Sequence, residues 1–348
     1  MNGFSSNLCI FHPGALGDGV LSLKAVRTLK GQFPDHEVIW FGHKQLGEVF
    51  VACQEVSQAY SFDAIPFLPF IKHGSAKEGK FIDLFSRCER AVGWIDDADG
   101  AWETSFHKAG IITALVRSPH DSTLDAYHMT DRYLETLNPW LRGGNRKTEF
   151  VEDVHLTFPN AGNGANFHSP QGKLIILHPG SGSPDKCVPP ELLVSLVRGL
   201  MGYHCRRLCL VGGPADGDAL HRVKALLASD EVTVLQEMDL VDLSRYLLQA
   251  HLFIGHDSGL SHFAGCLGIP SLLFFGPTDP SRWAPRGKHV VVMRNACHCQ
   301  GEAAVRQCRD KPCFFFSLDD ALMKVENLLS GRQTSASLFS RDLHKGFH

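Results

Sequence analysis

LCIFHPGALGD (residues 8–18) and LIILHPGSGSPDK (residues 174–186) decide how this chain folds. Each opens on a four-residue apolar run without polar alternation, the pattern of a strand buried on both faces of a parallel sheet. Each then enters a glycine-containing loop and a helical pattern. VLSLKAVRTL (20–29) follows the first, and ELLVSLVRGL (191–200) follows the second after Pro189 and Pro190. Two strand–glycine loop–helix starts in 348 residues predict two α/β units of ordinary domain size.

Short buried strands alternating with helical segments continue from both starts. The first half has candidate strands at EVIWF (37–41), RAVGW (90–94) and IITALV (111–116). The second has RLCLVGG (207–213), VTVL (232–235), HLFIG (251–255) and PSLLFFG (270–276). This alternation is that of a parallel sheet covered on both faces. TFPNAGNGANFHSPQGK (157–173) reads as a linker by its Gly, Asn and Pro content, which puts the boundary near 155–172. The expected domains are 1–160 and 172–330. SLDDALMKVENLLS (317–330) has helical spacing and an Asp-rich first turn, and the tail 331–348 is expected to be disordered.

With 44% hydrophobic and 20% charged residues, the chain can bury two cores. A net charge of -3 gives no basic footprint for nucleic acid. No apolar run reaches the roughly 18 residues of a membrane span and no export signal opens the chain, so a cytoplasmic location is expected. Eleven cysteines then read as reduced thiols or a metal site, with Cys9, Cys209 and Cys266 as small core hydrophobes.

The densest chemistry lies in HLFIGHDSGLSHFAGCLGIPSLLFFGPTDPSRWAP (251–285). A strand ending at Ile254 and a turn at Gly255 set Asp257 and Ser258 at the start of a helix beginning near Gly259. Free amides and the positive helix end then face the carboxyl edge of the sheet, where a diphosphate can be held. Asp257 and Ser258 also read as plain caps, and His262, one turn in, either reaches a phosphate or packs under the next strand. Ser181, Gly182 and Ser183 form a small loop whose amides can meet phosphate oxygens, or an ordinary turn. Asp18 reads as a cap of a helix starting at Gly19.

DSGLSHFAGCLGIPSLLFFGPTDPSRWAP (257–285) resembles the C-terminal signature of glycosyltransferase family 9, the lipopolysaccharide heptosyltransferases. HPGSGSPDKCVPPE (178–191), LVGGPADGD (210–218), GALGDGVLSLKAVRTL (14–29) and DLFSRCERAVGWIDD (83–97) extend the resemblance across both halves, roughly residues 8–330. It implies a GT-B fold: two Rossmann-like domains facing across a cleft, with the acceptor on the N-terminal side and the sugar nucleotide on the C-terminal side. It also implies inverting transfer of a sugar, typically heptose from an ADP-activated donor, with no metal or other cofactor required.

The resemblance carries residue roles with it. Asp18, following Leu16 and Gly17, matches the family's general base, which a weakly nucleophilic acceptor hydroxyl needs at neutral pH. Lys186 matches the lysine that meets the donor diphosphate and offsets charge on the leaving group. Asp216 falls where a family acid can meet the ribose, with Asp218 an equal candidate. Asp257, Ser258, Gly259 and His262 complete the implied donor site with Ser181 and Gly182. His12 stands where relatives often carry Arg or Lys, and with Gly17 it is a candidate acceptor or phosphate contact. Since its charge depends on its neighbours, the resemblance does not fix heptose as the sugar.

CHCQGEAAVRQCRDKPC (297–313) gathers Cys297, His298, Cys299, Cys308 and Cys313, but its spacing is not that of two zinc knuckles, and no metal is assigned. Asp97-Ala98-Asp99 spells a DxD within DDADG and reads as an exposed turn. FDAIPFLPFIKHGSAKEGKF (62–81) mixes Phe with Lys in the acceptor half; it reads as a partly buried connection or as a loop touching an anionic membrane face or lipid-linked glycan. The resemblance implies a transferase taking a nucleotide-diphosphate sugar to a lipopolysaccharide-core or related surface-glycan acceptor. The same fold leaves open a sugar-nucleotide epimerase or hydrolase, or a catalytically silent binding protein.

Overall fold

The computed structural model describes residues 6–64, 82–141, 155–159, 173–201, 207–228, 232–299 and 301–330. The expected tail at 331–348, most of the Phe- and Lys-rich loop, and most of the linker lie outside the described residues. The chain forms two compact units. One comprises Met1–Asn163 with the short segments Asp239–Arg245 and Ser281–Pro285; the other comprises Gly164–Met238, Tyr246–Pro280 and Arg286–His348. The two short segments group with the first unit although they fall in the second half of the chain.

The first unit is built on β1 (Ser6–Phe11), β2 (His36–Gly42), β3 (Gln58–Ser61), β4 (Cys88–Gly93) and β5 (Thr113–Val116), in the order β3-β2-β1-β4-β5. The second uses β6 (Leu174–Leu177), β7 (Arg207–Gly212), β8 (Thr233–Gln236), β9 (Leu252–His256), β10 (Ser271–Phe275) and β11 (Val290–Arg294), in the order β11-β10-β9-β6-β7-β8. Every strand pair is parallel. In each unit the first strand is central and the chain winds outward first to one side and then to the other. That is the doubly wound arrangement, whose switch points lie between β1 and β4 and between β6 and β9.

The strands are apolar because both faces are covered. Leu174–Leu177 is buried throughout, as is Leu252–His256. Phe11 stacks on Phe41 at 4.8 Å and on Phe106 at 4.6 Å to fill the first core. Burying a side chain of this size contributes about 1.5–3 kcal/mol.

Helices follow where caps and periodicity place them: α1 (Leu16–Leu21), α2 (Leu23–Gln32), α3 (Lys44–Ala52), α4 (Ala101–Lys108), α5 (Met129–Thr136), α6 (Pro190–Leu200), α7 (Gly217–Leu227), α8 (Gly259–Cys266) and α9 (Leu318–Leu329). In α6, Pro190 occupies the first turn and Leu193, Val194, Leu196, Val197 and Leu200 are buried on one face. In α9, Ser317 accepts the Asp320 amide, with Asp319 and Asp320 in the first turn. Among the described residues no helix is long and apolar enough to cross a membrane.

Two strands exceed the sequence reading, β3 and β11, and both are sheet edges. One helix starts earlier than expected: α1 begins at Leu16 rather than Gly19. Asp18 therefore does not precede the helix but sits in its first turn, where its Oδ2 accepts the Ala15 amide at 3.2 Å.

Candidate active site

Because β6 and β9 are neighbours, with Leu177 opposite Ile254, the loops that leave their carboxyl ends emerge side by side. One loop carries residues 178–186 and the other leads into α8. Lys186 Nζ donates to Asp257 Oδ2 at 2.7 Å, and Ser181 Oγ donates to the Asp257 carbonyl at 2.6 Å. Asp257 is 8% exposed, so the pair forms at the rim of the interior rather than in bulk water. Ser258 is the α8 N-cap, its Oγ accepting the Ser261 amide at 3.2 Å. Capping and site membership coincide at this residue, and Gly259 is the first helical residue.

His262 is buried on α8, and its Nδ1 has no hydrogen-bond partner among the described residues. Burial pushes its ring down to about 4, with Asp257 opposing that shift, so it is neutral at pH 7. The charges of Asp257 and Lys186 both act on this ring.

The two acids of GGPADGD separate. Asp216 is 9% exposed; its Oδ2 accepts the Gly213 amide at 2.7 Å and meets His178 Nε2 at 3.1 Å, whereas Asp218 is exposed in the first turn of α7. Burial acts to raise the Asp216 carboxyl, but His178 and the Gly213 amide outweigh it and hold it below the usual range. The loop glycines differ too. A Cβ at Gly180 would collide with the Asp216 carboxylate, whereas one at Gly182 would meet nothing within 4 Å.

His256 secures this loop from beneath. Its Nε2 accepts the Val188 amide at 3.2 Å, so Nδ1 carries the proton and donates to the Gly180 carbonyl at 3.2 Å. Burial pushes it to about 4, in keeping with that neutral tautomer. From the other side, Lys311 donates to Asp185 at 2.9 Å.

In the first unit, β1 leads into His12, which is 1% exposed. Its Nε2 is 2.9 Å from the Tyr133 hydroxyl, and Trp40, Trp94 and Tyr133 surround the ring. Desolvation pushes His12 to about 4, which settles the charge left open at this position in favour of a neutral ring at pH 7. Burial, and after it the Asp18 charge, hold the Tyr133 phenol well above its ordinary value, which keeps it protonated next to His12. A Cβ at Gly14 would stand 2.6 Å from His12 Cε1 and 2.9 Å from Asp18 Cβ; the glycine is what lets the loop close on both. Gly17 is the second residue of α1. The DxD pair caps α4: Asp97 accepts the Trp102 and Glu103 amides at 2.8 and 3.1 Å, and Asp99 accepts that of Ala101 at 3.2 Å.

Cys297, Cys299, Cys308 and Cys313 line one cavity of about 400 Å³ with His298. Cys299 is hydrogen-bonded to Cys308 and Cys297, and Cys313 to Cys297; desolvation and these thiol neighbours push Cys299 and Cys313 up to about 11. Cys299 and Cys313 are therefore protonated at pH 7, and among the described residues no group of three or more side chains stands ready to ligate a metal.

The model of glycosyltransferase family 9 (heptosyltransferase) matches residues 102–313, more than half of the chain. The chain belongs to glycosyltransferase family 9. Lipopolysaccharide heptosyltransferase 1 of Salmonella typhimurium is 36% identical over 95 residues, 27% of this chain and 29% of that relative. The chain thus matches less than a third of the length of this curated relative. Over whole chains the likeness is one of fold. The E. coli ADP-heptose lipopolysaccharide heptosyltransferase II superposes with a TM-score of 0.70 at 19% identity, covering 94% of this chain and 100% of the other. A family 9 glycosyltransferase from Veillonella parvula gives 0.71 at 16% identity, covering 95% and 99%. The family 9 chain is therefore of the GT-B class, with two Rossmann-like units.

His178, His256 and Tyr133 are absent from the sequence reading. His178 and His256 sit at the ends of apolar runs and Tyr133 in the polar-rich helix MTDRYLET, and each gains its role from a partner far along the chain, 38 residues away for His178 and 121 for Tyr133.

Proposed function

We propose that this family 9 chain is an inverting glycosyltransferase that moves a sugar, with ADP-heptose as the favoured donor, to a lipopolysaccharide-core or related surface-glycan hydroxyl. The supporting observation is the set formed by Lys186, Asp257, Ser258 and His262 at the N-terminus of α8, at the β6/β9 switch point. A cation, the free first-turn amides and an unspent ring nitrogen suit the diphosphate of a nucleotide sugar. Asp257 serves differently: it orients Lys186 and Ser181, and its remaining oxygen capacity suits sugar hydroxyls.

In this reading the acceptor oxygen attacks the anomeric carbon as its proton passes to Asp18. The bond to the diphosphate oxygen breaks, and the electron pair leaves with the nucleoside diphosphate. One displacement inverts the anomeric centre. Lys186 and the α8 amides stabilise the departing charge, so we propose transfer without a required metal. Asp216 is the acid we assign to the ribose, with Ser181, Gly182 and Gly259 lining the phosphates by backbone. Gly17 and His12 are assigned to the acceptor side, His12 as a neutral ring. The reaction belongs on the cytoplasmic side, with peripheral membrane contact when the acceptor is lipid-linked.

The test is incubation of the protein with ADP-heptose and a core oligosaccharide lacking its heptose, in EDTA, with the product anomer read by NMR. Inverted glycoside supports the proposal. Free sugar or an epimer formed without acceptor makes it a hydrolase or epimerase, and nucleotide binding without turnover makes it a binding protein.

A further inference from the structure

Cys297, Cys299, Cys308 and Cys313 surround one cavity of about 400 Å³ that none of the candidate donor residues lines. The short helix Gly301–Gln307 doubles the chain back, so that Cys308, just past its end, meets Cys299. Cys313 lies in the following turn, Pro312–Phe314, and meets Cys297, which also touches Cys299. Cys297, Cys299 and Cys308 are partly exposed. A second thiol pair differs: Cys9 and Cys88 also meet, but at 0% and 2% exposure in the first core, closed away from any oxidant.

One pairing joins all four thiols through contacts already made, Cys299 with Cys308 and Cys297 with Cys313. A Cys297–Cys299 bond would span a single residue and leave the other two unjoined. We propose that the four thiols are a redox modification site, closed by glutathione disulfide into the bridges Cys299–Cys308 and Cys297–Cys313, and that closure loosens the loop carrying Lys186. Each bridge forms in two exchanges. The thiolate of one cysteine attacks a sulfur of glutathione disulfide and releases one glutathione thiolate; its partner cysteine then gives up its proton, attacks the mixed disulfide and releases the second. Two cysteine thiols are oxidised, one glutathione disulfide is reduced, and two protons pass from the protein to glutathione. Cys299 and Cys313, held as thiols at neutral pH by burial and by their thiol neighbours, act as the second partners.

Lys311 connects this segment to the donor loop. It stands between Cys308 and Cys313, its Nζ donates to Asp185 Oδ1 at 2.9 Å, and Asp185 adjoins Lys186. Its backbone is left-handed, at φ 39°, a strained conformation for a side chain other than glycine. Phe314 pins the next residues: it is 2% exposed and fills the space that a Cβ at Gly276 would take. A sulfur–sulfur bond of about 2.05 Å is far shorter than a thiol contact. Closing both bridges therefore draws Cys308 and Cys313 toward the cavity, and the strained turn between them gives way. Lys311 leaves Asp185, whose freed carboxylate then competes for Lys186. The modification stands without the donor site; its effect on nucleotide binding rests on the donor-site reading above.

The test is incubation of the reduced full-length protein with glutathione disulfide, blocking of the remaining thiols, and mapping of bridges in non-reduced digests by mass spectrometry. Wild type should gain both bridges, Cys297→Ser only Cys299–Cys308, and Cys299→Ser only Cys297–Cys313. Thiols left reduced, a different pairing, or a metal ion held stoichiometrically by the four cysteines of the purified protein overturns the site. If a serine variant does not fold, fragment spectra of wild type that break the chain at His298 decide the pairing. Amide hydrogen exchange reads the loop without nucleotide: Asp185, Lys186 and Cys187 should exchange faster in oxidised wild type, and equally fast in both redox states of Lys311→Gln. Equal exchange in the two states of wild type overturns the link through Lys311. ADP should bind about tenfold more weakly after oxidation, the size of one charge-assisted hydrogen bond, and unchanged affinity overturns the effect on the donor site. If neither form binds ADP, the donor reading fails, and the mapping and exchange alone decide the inference.

Discussion

The two halves place the same tripeptide at the same point of the same architecture. His12-Pro13-Gly14 follows the central strand of the first sheet and His178-Pro179-Gly180 that of the second. Both histidines are nearly fully buried, at 1% and 4% exposure. Yet His12 is packed among Trp40, Trp94 and Tyr133 and is neutral, while His178 lies between a carboxylate and a hydroxyl. The fold fixes where the ring stands, and the partners from other strands fix what it does. An aromatic shell expels charge; a carboxylate and a hydroxyl hold the ring by hydrogen bonds.

The largest effect expected is on chemistry in the first half. Asp18→Asn should lower kcat about 10²- to 10⁴-fold while leaving ADP affinity unchanged; isothermal titration beside a transfer assay checks this, and loss of binding in step with turnover would remove Asp18 from the role of base.

Acid stability comes next. His12, His256 and His262 all stand near 4 in the folded protein, below their unfolded value of about 6.5. Between those values the unfolded chain binds protons the folded one refuses, so stability falls as pH drops from about 6.5 toward 4, by roughly 3 kcal/mol per ring at full effect. Asp216 acts in a lower window: its depressed carboxyl contributes stability above the unfolded value and loses it as pH falls through the folded one. Urea unfolding at pH 7 and pH 4.5 should show a smaller drop for His12→Gln than for wild type.

The two glycines sharpen the contrast further. Gly180→Ala displaces Asp216 and should weaken ADP about tenfold or more, whereas Gly14→Ala crowds His12 and Asp18 and should lower kcat with ADP affinity intact. The smallest effect belongs to the DxD: Asp97→Ala removes a cap and should cost about 1 kcal/mol in thermal unfolding without touching donor binding.

How legible each part was follows from how local its cause is. β6 and β9 are buried through their whole length on apolar runs, and Ser258 caps α8 by a hydrogen bond three residues on, so both stand in the sequence. β3 is four half-exposed residues, QAYS, at an edge, where only one neighbour imposes a pattern. β11 carried a signal in its valine run at 290–292, obscured because its edge position leaves it only partly buried. The start of α1 was hidden by Gly17 inside the helix and by Ala15, an N-cap without a side-chain acceptor. The choice between Asp216 and Asp218 needed the third dimension, since only Asp216 turns inward to His178. The gathering of four cysteines has the same origin: their spacing fits no zinc knuckle, and the loop and short helix between them bring them to one cavity.

The central claim is that the second unit holds a nucleoside diphosphate through Lys186 at the cap of α8. Isothermal titration of ADP, UDP, GDP and CDP into wild type and Lys186→Ala tests it most directly. ADP should bind in preference to the others, and Lys186→Ala should weaken it about tenfold to a hundredfold, the range for losing a charge-assisted contact. Binding of no nucleoside diphosphate by wild type, or unchanged ADP affinity in a folded Lys186→Ala, would contradict it.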